Sequence, residues 1–179
     1  MASKKEIQQR VFKNGKPLDL DKFEWDEKTN TFSSSEDYLV LDFNGMSYRT
    51  FNTGSDCTFK TGSYCIFKTG SHCTFNTGSD CTFNTESGCT FKTESHCTFK
   101  TGENCVVVRK DTYEVIELKS GQKIKLKEYS IKGYDILEEE KPQGKKVKIR
   151  LSDNQVVEGE IIEDYPPRLK DKEDKGRQN

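Results

Sequence analysis

The sequence predicts an all-β fold: a right- or left-handed parallel β-solenoid of octapeptide repeats with β caps at both ends. Three observations predict it. Seven cysteines (Cys57, Cys65, Cys73, Cys81, Cys89, Cys97 and Cys105) follow one another at one fixed interval, a single octapeptide. Around them that octapeptide reads Phe-Lys/Asn-Thr-Gly-Ser-x-Cys-Thr, from Phe51 to Thr101, and a fixed short period marks a stacked array. Within a unit such as Cys57-Thr58-Phe59-Lys60-Thr61, Cys, Phe and the second Thr fall on one side of a strand, with the first Thr and the Lys on the other. The octapeptide period is not a multiple of the helical one, so on a helix the same residue would wander around the axis.

Each unit reads as a five-residue strand and a three-residue corner. Thr and Phe favour strands. Gly-Ser-x supplies the bend, because Gly tolerates positive φ and Ser bonds nearby backbone. The core is then two kinds of ladder: the seven cysteines, and Phe51, Phe59, Phe67, Phe75, Phe83, Phe91 and Phe99. Burying one Phe is worth roughly 1.5–3 kcal/mol, which supports a solenoid in a chain with only 31% apolar residues. The inward Thr61-type hydroxyls are expected to bond backbone groups of the adjacent corner. The residue before each Cys recurs at every third repeat (Asp56/Asp80, His72/His96), which favours three units per triangular coil over two units per flattened coil.

Residues 1–50 read as an N-terminal β cap. Asn14-Gly15 marks a hairpin, Phe23-Glu24-Trp25 and Thr31-Phe32 flank a second turn, and Tyr38–Phe43 is an apolar strand. The solenoid spans 51–108. A C-terminal β cap region follows at 109–162, with one hairpin expected from Tyr113–Leu118 to Ile124–Leu126 and another from Lys145–Leu151 to Val156–Ile162. Open end rungs require such caps. The Pro-, Lys-, Asp- and Glu-rich segment 163–179 reads as a disordered, solvated tail.

The octapeptide resembles an uncharacterised repeat family of phages and bacterial mobile elements. Val11–Leu20 resembles that family's lead-in, Cys105–Ile116 its exit, and Ile131-Lys132-Gly133-Tyr134 its later segment. The resemblance implies a phage-like setting in the cytoplasm of a bacterial host cell, and it carries no catalytic residue.

Composition narrows the function. With 29 Lys+Arg against 30 Asp+Glu the net charge is −1, so no global field points to nucleic acid or an anionic membrane. The N-terminal stretch lacks the apolar run of a signal peptide, and no apolar run is long enough to span a bilayer. Cysteines at the octapeptide spacing do not converge like zinc ligands, and stacked parallel positions are poorly placed for disulfides; they read as buried, reduced core residues. His72 and His96 would stack only in a three-unit coil. No phosphate loop, nucleophile elbow or metalloprotease pattern is present, so no enzyme activity, metal or cofactor is expected.

What remains is surface recognition. The candidate binding residues are outward Lys60, Lys68, Lys92 and Lys100, the outward Thr58, Thr74, Thr82, Thr90 and Thr98, and Tyr64. The expected function is a non-enzymatic module that binds and obstructs a bacterial host protein. A homo-oligomeric virion or fibre component is the alternative, followed by an ice- or nucleic-acid-binding face. Against nucleic acid stand Asp56, Asp80, Glu86, Glu94 and Glu103 at the corners.

Overall fold

The computed structural model describes residues 2–137, 145–150 and 156–161. Contacts divide the chain into two compact units, Met1–Glu138 and Glu139–Asn179. The division falls inside the region 109–162 that the sequence reads as one cap. In the second unit, β17 (Lys145–Arg150) pairs antiparallel with β18 (Val156–Ile161), the expected hairpin. The expected charged tail, 163–179, lies outside the described residues.

The first unit is a β-solenoid of about five turns. It opens with helix α1 (Lys4–Gln8), whose Ser3 and Glu6 form a reciprocal capping box. Strands β1 (Val11–Lys13) and β2 (Lys16–Pro17) follow, joined through Asn14 and Gly15, both at positive φ. Next come β3 (Glu24–Asp26), β4 (Thr31–Ser33), β5 (Leu39–Phe43) and β6 (Thr50–Asn52). The repeat proper supplies β7 (Thr58–Thr61), β8 (Ile66–Thr69), β9 (Thr74–Asn76), β10 (Thr82–Thr85), β11 (Thr90–Thr93) and β12 (Thr98–Lys100). The unit ends with β13 (Cys105–Arg109), β14 (Glu114–Leu118), β15 (Lys123–Leu126) and β16 (Tyr134–Ile136).

These strands form two sheets. The first has the order β14-β13-β11-β9-β7-β5-β1-β2 and the second β16-β15-β12-β10-β8-β6-β4-β3. Successive octapeptides alternate between sheets, so Phe59 pairs with Phe75 and Phe67 with Phe83. The coil therefore holds two octapeptides, and not the three that the residues before each Cys suggest. The packing explains why. Within a sheet the Phe rings stack nearly parallel, as Phe59–Phe75 at 4.9 Å and 4°. Rings of opposite sheets meet edge to face, as Phe67–Phe75 at 5.1 Å and 72°. Two Phe ladders thus fill the space between two sheets, and edge-to-face pairs are favoured by the ring quadrupole.

The corners also differ from expectation. Positive φ falls on the residue before Cys (Asp56, Tyr64, His72, Asp80, Gly88, His96, Asn104) and not on the repeat's Gly. The Gly is required for space: a Cβ on Gly78 would stand 2.2 Å from Ser63 Oγ. That Oγ accepts the Ser79 N–H of the next coil at 3.1 Å, and Ser55 and Ser71 repeat the arrangement. Where Glu replaces Gly, the Ser hydroxyl donates to the carboxylate, as Ser71 to Glu86 at 2.9 Å and Ser79 to Glu94 at 3.2 Å. The inward Thr hydroxyls mostly bond the next carbonyl of their own corner, as Thr61 to Gly62 O; Thr93 instead reaches Gly78 O of the preceding coil at 2.9 Å.

Parallel pairing begins before the recognisable repeat. Phe32 pairs with Phe51 and Leu41 with Phe59, at spacings slightly longer than two octapeptides, so the first coil lies inside the segment read as a cap. Antiparallel strands close both ends: β1 then β2 on β5, β3 on β4, β14 on β13, and β15 then β16 on β12. Residues Tyr113–Leu118 and Ile124–Leu126 do not form the expected hairpin with each other. They cap different sheets, and the chain crosses between them.

Arg109 takes the inward Thr position one rung beyond Thr93. It is fully buried, and its Nε and Nη2 donate to Asp111 at 3.1 and 2.5 Å. Further bonds to the Glu128, Ile131 and Gly133 carbonyls tie the loop after β15 over the last coil.

Candidate functional site

Each repeat strand sends two side chains outward, and the register decides their neighbours. On the first sheet one column runs Val40, Thr58, Thr74, Thr90, Val106, and the other Asp42, Lys60, Asn76, Lys92, Val108. On the second sheet one column runs Thr50, Ile66, Thr82, Thr98, Lys125, and the other Asn52, Lys68, Asn84, Lys100, Lys123.

The outward lysines and threonines named from the sequence therefore do not share one face. Lys60 and Lys92 share one face with Thr58, Thr74 and Thr90, while Lys68 and Lys100 share the opposite face with Thr82 and Thr98. Two units per coil send alternate octapeptides to opposite faces, and each pair of lysines is separated by an Asn. Tyr64 lies on neither face. It sits at a corner, half exposed, stacked on Tyr48 at 4.8 Å and 4°. Tyr48 comes from the segment before the repeat, where no period announces it.

His72 and His96 do not stack. In the two-unit coil His72 neighbours Gly88, whose added Cβ would meet its Nδ1 at 2.5 Å, and His96 follows Asp80 on the opposite edge. Among the described residues no three His, Cys, Asp or Glu side chains gather as a metal site. All seven cysteines are buried and free. Sγ atoms accept backbone N–H groups from the preceding coil, as Cys57 N to Cys73 Sγ at 3.4 Å, and they donate to corner carbonyls. Hydrogen bonds with Cys57 and Cys89, reinforced by burial, push the Cys73 thiol far up. The bond with Cys81, again with burial, does the same to Cys65.

No family model matches the chain, and neither a curated protein nor a solved structure matches it. The faces themselves carry what can be said of function. No helix among the described residues is long and apolar enough to cross a membrane.

Sequence reading missed Lys123 and Lys125 as members of the second face. They stand beside Lys100 and Thr98 in the antiparallel rung of β15, outside the octapeptide, and only the pairing places them there. It also missed Glu24 and Asp26, which share that face at its other end: β3 pairs Glu24 with Ser33 and Asp26 with Thr31, while Trp25 between them points into the core.

Proposed function

We propose that this protein is a non-enzymatic interaction module, of a phage-like accessory or anti-defence kind, that binds a bacterial host protein and obstructs it. The observation that carries the reading is the core. Stacked Phe and Cys ladders hold two sheets in a fixed register, so the outward columns are pre-arranged before any partner arrives. Pre-arranged contacts lose little ordering entropy on binding, and stacked-repeat proteins use such extended surfaces for recognition. The phage-like setting rests on the resemblance of the octapeptide and its flanking segments.

The test is an affinity capture with the tagged full chain from bacterial lysate, with and without nuclease, read by mass spectrometry. A single stoichiometric protein that survives nuclease supports the proposal. An empty capture, or one lost with nuclease, overturns it.

A further inference from the structure

We infer that the outer face of the second sheet is a self-complementary surface on which a second copy of this chain docks, face to face with its solenoid axis reversed. The inference goes beyond the binding of a host protein and does not depend on it.

The argument is the order of residues along the two columns. From β3 to β15 the first column reads Asp26, Thr31, Thr50, Ile66, Thr82, Thr98, Lys125. Turned about its midpoint, it sets Asp26 on Lys125, Thr on Thr twice, and Ile66 on itself. The second column reads Glu24, Ser33, Asn52, Lys68, Asn84, Lys100, Lys123 over the same pairings. Turned in the same way, it sets Glu24 on Lys123, Ser33 on Lys100 and Asn52 on Asn84. Both columns share one midpoint, β8.

Over these seven strands a two-fold axis along β8 thus brings carboxylates onto ammonium groups at β3 and β15, and the eighth strand of the sheet, β16, overhangs the contact. Such an interface is isologous: the same patch serves both copies. The charged ends are accessible, with Glu24, Asp26, Lys123 and Lys125 all exposed. Three of these groups already have neighbours: Glu24 faces Lys4 at 3.5 Å, Asp26 accepts bonds from its own turn, and Lys125 stands in register with Asp135 of β16, so each contributes only part of its charge to the docked pair. At the axis stands Ile66, an apolar side chain 44% exposed on an otherwise polar face. The first sheet has no such pattern. Turned about β9, its columns set Phe12 on Glu117, Val40 on Val106, Asp42 on Val108 and Lys60 on Lys92.

One contact opposes the pairing: Lys68 meets its own copy beside the axis. The contact is also narrow, seven of the sheet's eight strands at ~4.8 Å each, which buries less than the roughly 1,200 Å² of a standard stable interface. The association is accordingly weak and sensitive to salt.

Sedimentation velocity on the full chain, over a concentration series at ~0.02 M and ~0.5 M salt, tests this. The expected result is a monomer–dimer equilibrium that shifts towards monomer at high salt. Lys123→Glu with Lys125→Glu weakens it by roughly tenfold or more, because attractive pairs at both ends become repulsive. Glu24→Lys does the same in smaller measure and leaves the Asp26 turn intact. Mixing the Lys123→Glu/Lys125→Glu protein with a Glu24→Lys/Asp26→Lys protein restores association as a heterodimer. Lys68→Asn, by removing the like-charge contact, tightens the dimer. Lys60→Glu with Lys92→Glu, on the first face, leaves it unchanged, and melting curves verify that each variant folds. A chain that stays monomeric at low salt overturns the inference. So does a dimer indifferent to the end reversals, or one weakened by Lys68→Asn.

Discussion

The corner geometry makes a quantitative prediction about Gly78 and Ser63. A Cβ on Gly78 would lie 2.2 Å from Ser63 Oγ and 3.2–3.3 Å from the Ser63 N and Cα. In Gly78→Ala the hydroxyl must leave, and the Ser79 N–H loses its 3.1 Å bond to it. That bond is worth roughly 1 kcal/mol, and the crowded backbone contacts add about 1 kcal/mol or more. Against this, φ at Gly78 is not in the left-handed range, so Ala gains about 0.4–1 kcal/mol by restricting the unfolded chain. The net loss is about 1 kcal/mol, which is about 3–4 °C in Tm for a unit of this size. Ser63→Ala alone loses the same hydrogen bond. In that background nothing is left for the new Cβ to displace, so Gly78→Ala becomes nearly neutral. Chemical denaturation of the two single variants and the double variant forms a cycle with a coupling of about 1 kcal/mol. Additive losses would refute the claim that the Gly exists to seat the Ser hydroxyl.

Three further outcomes follow from the core and the cap. Phe75→Ala removes a ring that stacks on Phe59 and Phe91 and meets Phe67 and Phe83 edge-on; a loss of roughly 3–5 kcal/mol in denaturant unfolding is expected, against a much smaller one for Phe75→Leu. Arg109→Met leaves Asp111 as a buried, unpaired carboxylate, which costs about 3–5 kcal/mol, and hydrogen exchange should show residues 127–133 released first. Burial opposes ionisation of Asp111, but the Arg109 and Ser130 hydrogen bonds outweigh it and hold its pKa below the ordinary value. A depressed folded pKa gives stability that is complete above the unfolded value, ~3.9, and lost as pH falls through the folded one; Asp111→Asn should flatten that acid limb of the melting profile. Finally, the buried thiols should label slowly in native protein and all seven rapidly in denaturant; fast native labelling of Cys73 would contradict its place in the core.

The fold is legible in the sequence because octapeptide and strand alternation agree at every repeat: Cys, Phe and the second Thr are inward along the solenoid as the strand's alternation requires. The coil size is not. Asp56/Asp80 and His72/His96 recur at every third octapeptide, but each corner residue neighbours the one two octapeptides away, as His72 does Gly88, and all share one backbone conformation, so their recurrence does not report which residues are neighbours. The start of the solenoid is hidden for a related reason. Phe32, Leu39, Leu41 and Phe43 occupy core positions, but coils slightly longer than two octapeptides, with aliphatic substitutes for Phe and Cys, erase the period. Arg109 is hidden because a charged residue in an inward position looks like a strand end until its carboxylate and carbonyl partners are seen. The two faces stay invisible for as long as coil size is open, since which lysines are neighbours depends wholly on it.

The two-unit coil also restricts how the gene can change length. Tandem repeats gain and lose units by slippage, and the smallest slip here is one octapeptide. A single octapeptide gained or lost would deliver the chain to the wrong sheet: every outward residue beyond it would change face, and β13 would arrive where β12's capping strand waits. A pair of octapeptides, by contrast, adds or removes a whole coil and returns both sheets to their caps in phase. Length variants of this protein should therefore fold in steps of two repeats, with the odd octapeptide selected against as firmly as a frameshift.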